Sequence, residues 1–471
     1  MKKINDDKFL RLLKSSETNH TDYEVFINSN IVINISDIST GNQFVNCVFK
    51  GKKIEFRDLI IKSENECENL IYLDFKDCKF INQIRFCASY FQNITFIDCK
   101  ILHSINITDC NINKVVFKKT NINTILNETE KKTLIVLDYI TINIELKLID
   151  VKNIHKVRLR KIGVLGKSKL QNCQLGEFKM SLSKFKNDFE FLNVTLFSNS
   201  SFFYNVFNKT NFNNTDFGLS AEFKNNDFEK TTLFENAKNL DNTSLTFKSC
   251  KFVKYAYFNN SKIKHLSFDT TKFMEFSSFQ DTVFETINID RTVFDSPAFF
   301  DDIKILKIVN CDRRTIRNIK QELGKSGNTI DYDSFKAYEM QAHRLEVAKK
   351  ADCRLFNKDW IILKVGAHFS DNGLNWFKAL THTIFWSFLI YCIFYWVYHN
   401  GFNFNKIEFS NTNSFLTGYL RYLNPTDFYD PLSFNRMYLK NSIQFFLLMI
   451  GKIFIAIGLY EILKSFRKFK K

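Results

Sequence analysis

Residues 247–300 read FKSCKFVKYAYFNNSKIKHLSFDTTKFMEFSSFQDTVFETINIDRTVFDSPAFF, and a large apolar residue returns in them at every fifth position. Phe258, Ile263, Phe268 and Phe273 form one run. A one-residue shift opens the next, Phe279, Phe284, Ile289, Phe294 and Phe299. A helix repeats about every 3.6 residues and a strand every two, so neither sustains a period of five. A coil with four short sides does, if each side contributes one inward residue. Two positions ahead of the large residue the side chain is small or slim, as at Cys250, Ala256, Ser261, Thr271, Ser277, Thr282 and Thr292.

A large centre with a small residue two before it resembles the pentapeptide-repeat family. That resemblance implies a β-solenoid, a right-handed quadrilateral β-helix. Composition agrees: the chain holds 53 Phe but only 14 Gly and 3 Pro in 471 residues. The array starts at Phe44, Phe49, Ile54 and Leu59, is interrupted by the acidic SENECEN, and continues through Phe75, Phe80, Phe86, Phe91, Phe96 and Ile101. A shift then gives Ile107, Ile112, Phe117 and Ile122. In this part the slot alternates between Ile or Val (Ile84, Ile94, Ile105, Val115) and small residues (Ser89, Cys99, Cys110, Thr120), which predicts bulged sides. The period resumes at Leu170 and Leu175, and runs through Phe197, Phe202, Phe207, Phe212, Phe217, Phe223, Phe228 and Leu233 to about residue 310. At about 20 residues per coil this is about a dozen coils, a rod of roughly 60 Å at the ~4.8 Å strand spacing.

The expected division is an N-terminal segment over 1–40, the solenoid over 41–310, and a break in the period at about 131–165. There Ile140, Ile142, Ile144, Leu146 and Leu148 alternate with polar residues as in a half-buried strand, and VRLRKIGVL could pair with it. A longer-sided coil or a β-hairpin insertion would explain the break, as a binding loop or as a structural irregularity.

The eleven cysteines read as reduced. Cys47, Cys78, Cys99, Cys110, Cys173 and Cys250 all occupy the slot two before a large residue, and no spacing fits a zinc site. The first twenty residues carry no apolar stretch of the signal-peptide kind. His103, His155 and His265 read as surface residues. No nucleophile elbow, phosphate loop or dinucleotide motif occurs, so we expect no enzyme and no cofactor.

After residue 310 the texture becomes helical. DRRTIRNIKQELGKSGN predicts a helix capped by Asp312, with the stripe Ile316, Ile319 and Leu323 and a stop at Gly324. DYDSFKAYEMQAHRLEVAKK predicts a second, so 311–350 reads as an amphipathic hairpin. It would cap the solenoid or couple it to a membrane, with Arg313, Arg314, Arg317 and Glu339 as the candidate coupling residues. Residues 351–375 read as a membrane-surface segment. Residues 376–398 and 443–463 are long and apolar enough to span, with 400–441 an external loop and KSFRKFKK a cytoplasmic tail. After residue 310, 23 Lys and Arg stand against 13 Asp and Glu, which accounts for +10 of the net +16.

This third resembles a bacterial subgroup of pentapeptide-repeat membrane proteins, some of them labelled ion-channel-like, in RRTIRNIKQELGKSGN, FKAYEMQAHR, SDNGLNW and GLYEILKSFRKF. The resemblance implies a bacterial inner-membrane protein; the basic tail and the two spans put both termini in the cytoplasm by the positive-inside rule. Lys452 sits near the middle of the second span, where a charge costs about 2.5–3.5 kcal/mol. With Gln444 it is the candidate intramembrane polar site: a path through a homo-oligomer, or a lysine satisfied by an acid or by backbone carbonyls, or one that snorkels from a shifted span. Thr417-Gly418-Tyr419 echoes a potassium-filter sequence only faintly. The function expected is a non-enzymatic scaffold that holds lipid and an unknown protein partner; the alternative is a two-span pore gated by the solenoid. Nucleic acid is an unlikely partner, and DNA mimicry of the kind known in soluble members needs an acidic rod.

Overall fold

In the first unit, Met1–Thr315, every pairing between strands is parallel, and the chain winds as a β-solenoid of about 13 turns. The computed structural model describes all residues except 35–37, 39–40, 58–70, 122–133, 240–243, 351–357, 401–411, 434–436 and 467–471. Leu59, the acidic SENECEN, Ile122 and the last residues of the basic tail lie outside the described residues. The second unit, Ile316–Lys471, is helical.

Four ladders fill the solenoid. One runs Val164, Phe185, Phe207, Phe228, Phe252, Phe273, Phe294; another runs Met180, Phe202, Phe223, Phe247, Phe268, Ile289. Parallel strands fix the coil spacing at about 4.8 Å, so equivalent rings meet face to face. Ring centroids stand 4.2 Å apart for Phe202–Phe223, 4.6 Å for Phe228–Phe252 and 4.9 Å for Phe258–Phe279. Neighbouring ladders meet edge to face, as Phe212 does Phe223. Burial contributes roughly 1.5–3 kcal/mol per Phe, and a good ring pair about 0.5–1.5 more.

The slot residue has a specific task. Thr271 Oγ1 donates to Phe247 O at 3.0 Å, Thr282 to Phe258 O at 3.0 Å and Ser261 to Phe234 O at 2.9 Å. Cys99 and Cys250 direct their thiols likewise to Phe75 O and Phe223 O, both at 3.3 Å. Asn205 and Asn226 fill two slots of one column by the same bond. Each side chain reaches back to a main-chain oxygen of the preceding coil. Corners are turned by residues in the left-handed region, mostly Asn and Asp (Asn172, Asn193, Asn214, Asn236, Asn260, Asp281), the non-glycine types that best tolerate it.

Three ladder positions differ from the five-residue count. Leu196, Phe234 and Phe300 are fully buried, whereas Phe197 is 51 % exposed and Leu233 and Phe299 are only half-buried. Leu196 to Phe202, Phe228 to Phe234 and Phe294 to Phe300 each span six residues, and a one-residue slip exchanges the inward and outward faces of a strand. Over 134–165 the chain stays in the solenoid. Leu134–Asp138 pairs with Ile154–Arg160, and Thr141–Ile149 pairs with Gly163–Val164 and Lys167–Gln171, all parallel. The structure is therefore the longer-sided coil, without a hairpin. Ile144 faces solvent, at a register shift between Ile142 and Glu145. The bulge expected of the alternating slots lies between Phe91 and Asn93 in the long strand Ile84–Ile97.

The coils start before residue 41, since His20 and Val25 pair with Phe44 and Phe49. Helix α1 (Asp6–Lys14), capped by the Asn5 side chain, sets Phe9 against Phe44 and Phe49 at the N-terminal end. At the far end Thr315 Oγ1 accepts from the Ile289 N–H at 2.8 Å, satisfying one donor of the last coil.

In the second unit, α2 (Arg313–Ser326) and α3 (Thr329–Lys350) form the hairpin. Ile316, Ile319 and Leu323 are buried. The stop falls at Gly327 (φ +77°) and not at Gly324, which lies inside α2 under the Tyr332 ring. Then come α4 (Lys358–Ser370), α5 (Trp376–Asn400), α6 (Thr412–Tyr422) and α7 (Ser442–Phe466). Helices α5 and α7 are long and apolar enough to cross a membrane. They pack closely because Gly458 faces Thr383: a Cβ there would lie 1.9 Å from Thr383 Oγ1.

Truncating Leu196 to Ala should cost about 2–5 kcal/mol, as a buried aliphatic does. Phe197→Ser should change stability by no more than about 0.5 kcal/mol. Chemical-denaturation midpoints of the two variants check this, and the reverse order would restore the five-residue register.

Candidate functional site

The external loop expected between the spans contains a helix. Residues 412–422 carry Asn, Thr and Ser at their start, apolar Phe415, Tyr419, Tyr422 and Leu423 at helical spacing, and Pro425 beyond the end. These signals are legible in the sequence, and the stretch between the two longer apolar segments is helical over Thr412–Tyr422.

Helix α6 lies beside α5 in the antiparallel sense. Tyr391 Oη donates to Phe415 O at 2.8 Å, and Tyr419 Oη donates to Ile384 O at 3.0 Å beside the Ser387 hydroxyl. Tyr391 and Tyr422 are fully buried among Phe394, Tyr395, Leu448 and Ile455. Gly418 and Gly451 admit two of the rings: a Cβ at Gly418 would meet Tyr391 Oη at 2.4 Å, and one at Gly451 would meet Tyr422 Oη at 1.6 Å.

At eleven residues, α6 ends about halfway along its longer neighbours, level with Lys452. A helix end leaves its last carbonyls without intrahelical donors. Lys452 Nζ donates to Tyr422 O at 2.7 Å and to Asn424 O at 2.6 Å, and sits 5.3 Å from the Tyr422 ring centroid. The ammonium is 4 % exposed as a residue, and it meets the negative end of the α6 dipole. Of the readings open for Lys452, backbone carbonyls are its partners in this structure. Gln444, two turns earlier and half-buried, shares no hydrogen bond with it.

The candidate coupling residues lie in different settings. Arg317 Nε and Lys320 Nζ hold the Glu339 carboxylate at 2.8 and 2.5 Å, joining α2 to α3. Burial works against the Glu339 charge, and the hydrogen bonds from Lys320 and Arg317 outweigh it, holding the carboxyl below its ordinary range. Arg314 is exposed, and Arg313 is half-buried one residue before it.

Sequence reasoning did not connect the two segments that flank the spans. Ser370 Oγ donates to the Glu461 carboxylate and accepts from Gly373 N at 2.8 Å; Lys464 Nζ lies 3.2 Å from Glu461 Oε2. Asp371, Asn372 and Gly373 all have positive φ, which turns α4 sharply into α5, and Lys378 holds Asp371 at 2.6 Å. SDNGLNW and GLYEIL thus form one polar cluster at the α4–α5 turn and the last turns of α7. Among the described residues no three His, Cys, Asp or Glu side chains converge as a metal cluster. No family model, no curated protein and no solved structure matches the chain.

Lys452→Met should uncap α6. Amide exchange over 419–423 should rise about tenfold, the worth of one charged hydrogen bond, while Gln444→Leu leaves it unchanged. Because the Glu339 carboxyl is depressed in the native state, its contribution to stability is complete above the unfolded value of about 4.3 and is lost as pH falls through the lower native value. Unfolding midpoints taken down this range should fall less steeply in Glu339→Gln than in the wild type.

Proposed function

We propose that the chain is a bacterial pentapeptide-repeat protein that acts as a non-enzymatic scaffold, anchored in the inner membrane by α5 and α7. The solenoid stands in the cytoplasm and recruits a protein partner. The basic C-terminal tail favours a cytoplasmic C-terminus by the positive-inside rule, and two spans return the N-terminal unit to the same side.

The observation that carries the anchor reading is the use made of Lys452. A charge at mid-span normally marks an ion path. Here the ammonium is consumed by two carbonyls of α6, and aromatic rings fill the space around it. That is the construction of a closed support. A stiff coil stack that presents long faces suits recruitment of a macromolecule.

A second reading has its own support. A half-length helix between two spans, with its carbonyl end at mid-depth, is also an arrangement from which an oligomeric pore can be built. Planar-bilayer recording separates the two. The anchor reading expects purified, demonstrably inserted protein to be silent as wild type and as Lys452→Leu. Discrete currents whose conductance or selectivity changes in Lys452→Leu would replace it with the pore.

A further inference from the structure

A cavity of about 380 Å³ opens where α3, α4 and the last turns of α7 meet. Glu461 and Lys464 line it and are engaged with each other, Glu461 also with Ser370. Two more charges line it, Asp333 and Lys336, one turn apart on α3. Neither is held in an ion pair among the described residues. The lining therefore carries two cations and two acids, with one of each sign uncommitted. Its rim is apolar: Ile362 is 69 % exposed and Tyr460 62 %, and Leu463, at 64 %, continues that surface along α7.

A ligand matched to this lining carries one positive and one negative group and a long apolar part. A purely anionic amphiphile would leave Asp333 facing a like charge, and a purely cationic one would do the same to Lys336. A quaternary ammonium offers Asp333 charge but no N–H, whereas a primary ammonium offers both. The cavity lies at the end of α7 where Trp376 stacks on Phe466 with ring centroids 5.5 Å apart, an aromatic pair of the kind that marks a membrane interface.

We infer that this cavity takes the phosphoethanolamine headgroup of a zwitterionic phospholipid. The phosphate meets Lys336 and Lys464, the primary ammonium meets Asp333, and the acyl chains lie over Ile362, Tyr460 and Leu463. This rests on the membrane-anchor reading.

The test is native mass spectrometry of the full-length, delipidated protein in detergent, titrated with phosphatidylethanolamine, phosphatidylcholine and phosphatidylglycerol of matched chains. The ethanolamine lipid should be retained on the order of tenfold more strongly, the scale of one charge-assisted hydrogen bond. Asp333→Asn should erase its advantage over the choline lipid. Lys336→Gln should weaken retention of all three. Circular dichroism and unfolding midpoints establish that both variants fold, as expected for substitutions at a half-buried and an exposed position of α3. Equal retention of the three lipids, or an ethanolamine preference that survives in Asp333→Asn, overturns the site. Displacement of the lipid by millimolar soluble phosphoethanolamine would overturn the acyl-chain half and leave a soluble headgroup as the ligand. Carbonate extraction from vesicles is read in parallel. Protein released by carbonate sinks the anchor reading itself, whereas protein that stays integrated with equal retention sinks only the lipid site.

Discussion

The structure of the first unit depends on a bond made across one coil spacing. A hydroxyl, thiol or amide two residues before a large inward side chain donates to a main-chain oxygen of the preceding coil, as Thr282 does to Phe258 O. The donor is short, because the adjoining ladder of rings leaves little room, and where the slot is polar it satisfies a buried oxygen. Ser, Thr, Cys and Asn serve in this way. The ring ladders follow: once coils are locked at strand spacing, a Phe in one coil has a Phe at stacking distance in the next. A solenoid held this way buries each coil only against its neighbours, so its ends need separate treatment, Phe9 at the N-terminal end and Thr315 at the last coil.

This is also why the sequence was legible where it was. Period five, the slot two before, and six of the cysteines in that slot follow from inward residues alone, and each of those cysteines is buried. The slot is small and donating at many coils but not at all: Ala256 and Ala298 fill it with a methyl group, and Ser, Thr, Cys and Asn add the bond elsewhere. What counting missed was the six-residue side. Leu196 and Phe197 are equally apolar, and the choice between them is made by the corner, where Asn193 turns in the left-handed region. Ile144 fails in the same way: an unbroken alternation was visible, but the register shift against the neighbouring coil was not.

In the second unit, charges were easier to find than their partners. Arg317 and Glu339 are both conspicuous in sequence, yet only the antiparallel return of α3 brings them together, with Lys320 as an additional donor. Ser370 and Glu461 lie 91 residues apart, and no local pattern relates them. Of the polar groups at the α4–α5 turn and the end of α7, Ser370 and Glu461 are buried and paired with each other, as an unpaired buried charge would be costly.

The case of α6 and Lys452 turns on magnitudes. A lysine at mid-span costs about 2.5–3.5 kcal/mol to insert, and leaving a helix end uncapped in an apolar setting costs about 1–3 kcal/mol for each orphaned carbonyl. Each is unfavourable alone, and together they cancel to a large extent. The ammonium supplies the donors that Tyr422 and Asn424 require, and the carbonyl end of α6 supplies the field the ammonium requires. A half-helix can therefore end among apolar side chains with its last carbonyls satisfied, and the lysine there has hydrogen-bond partners of its own. The same exchange explains the glycines opposite the tyrosines: with α6 held at that depth, the Tyr391 and Tyr422 rings must fit against Gly418 and Gly451, and any larger residue would push the helix off its cap. A charge in an apolar span is on this account a condition for folding α6, and a route for ions would have to be built from groups other than the ammonium already spent.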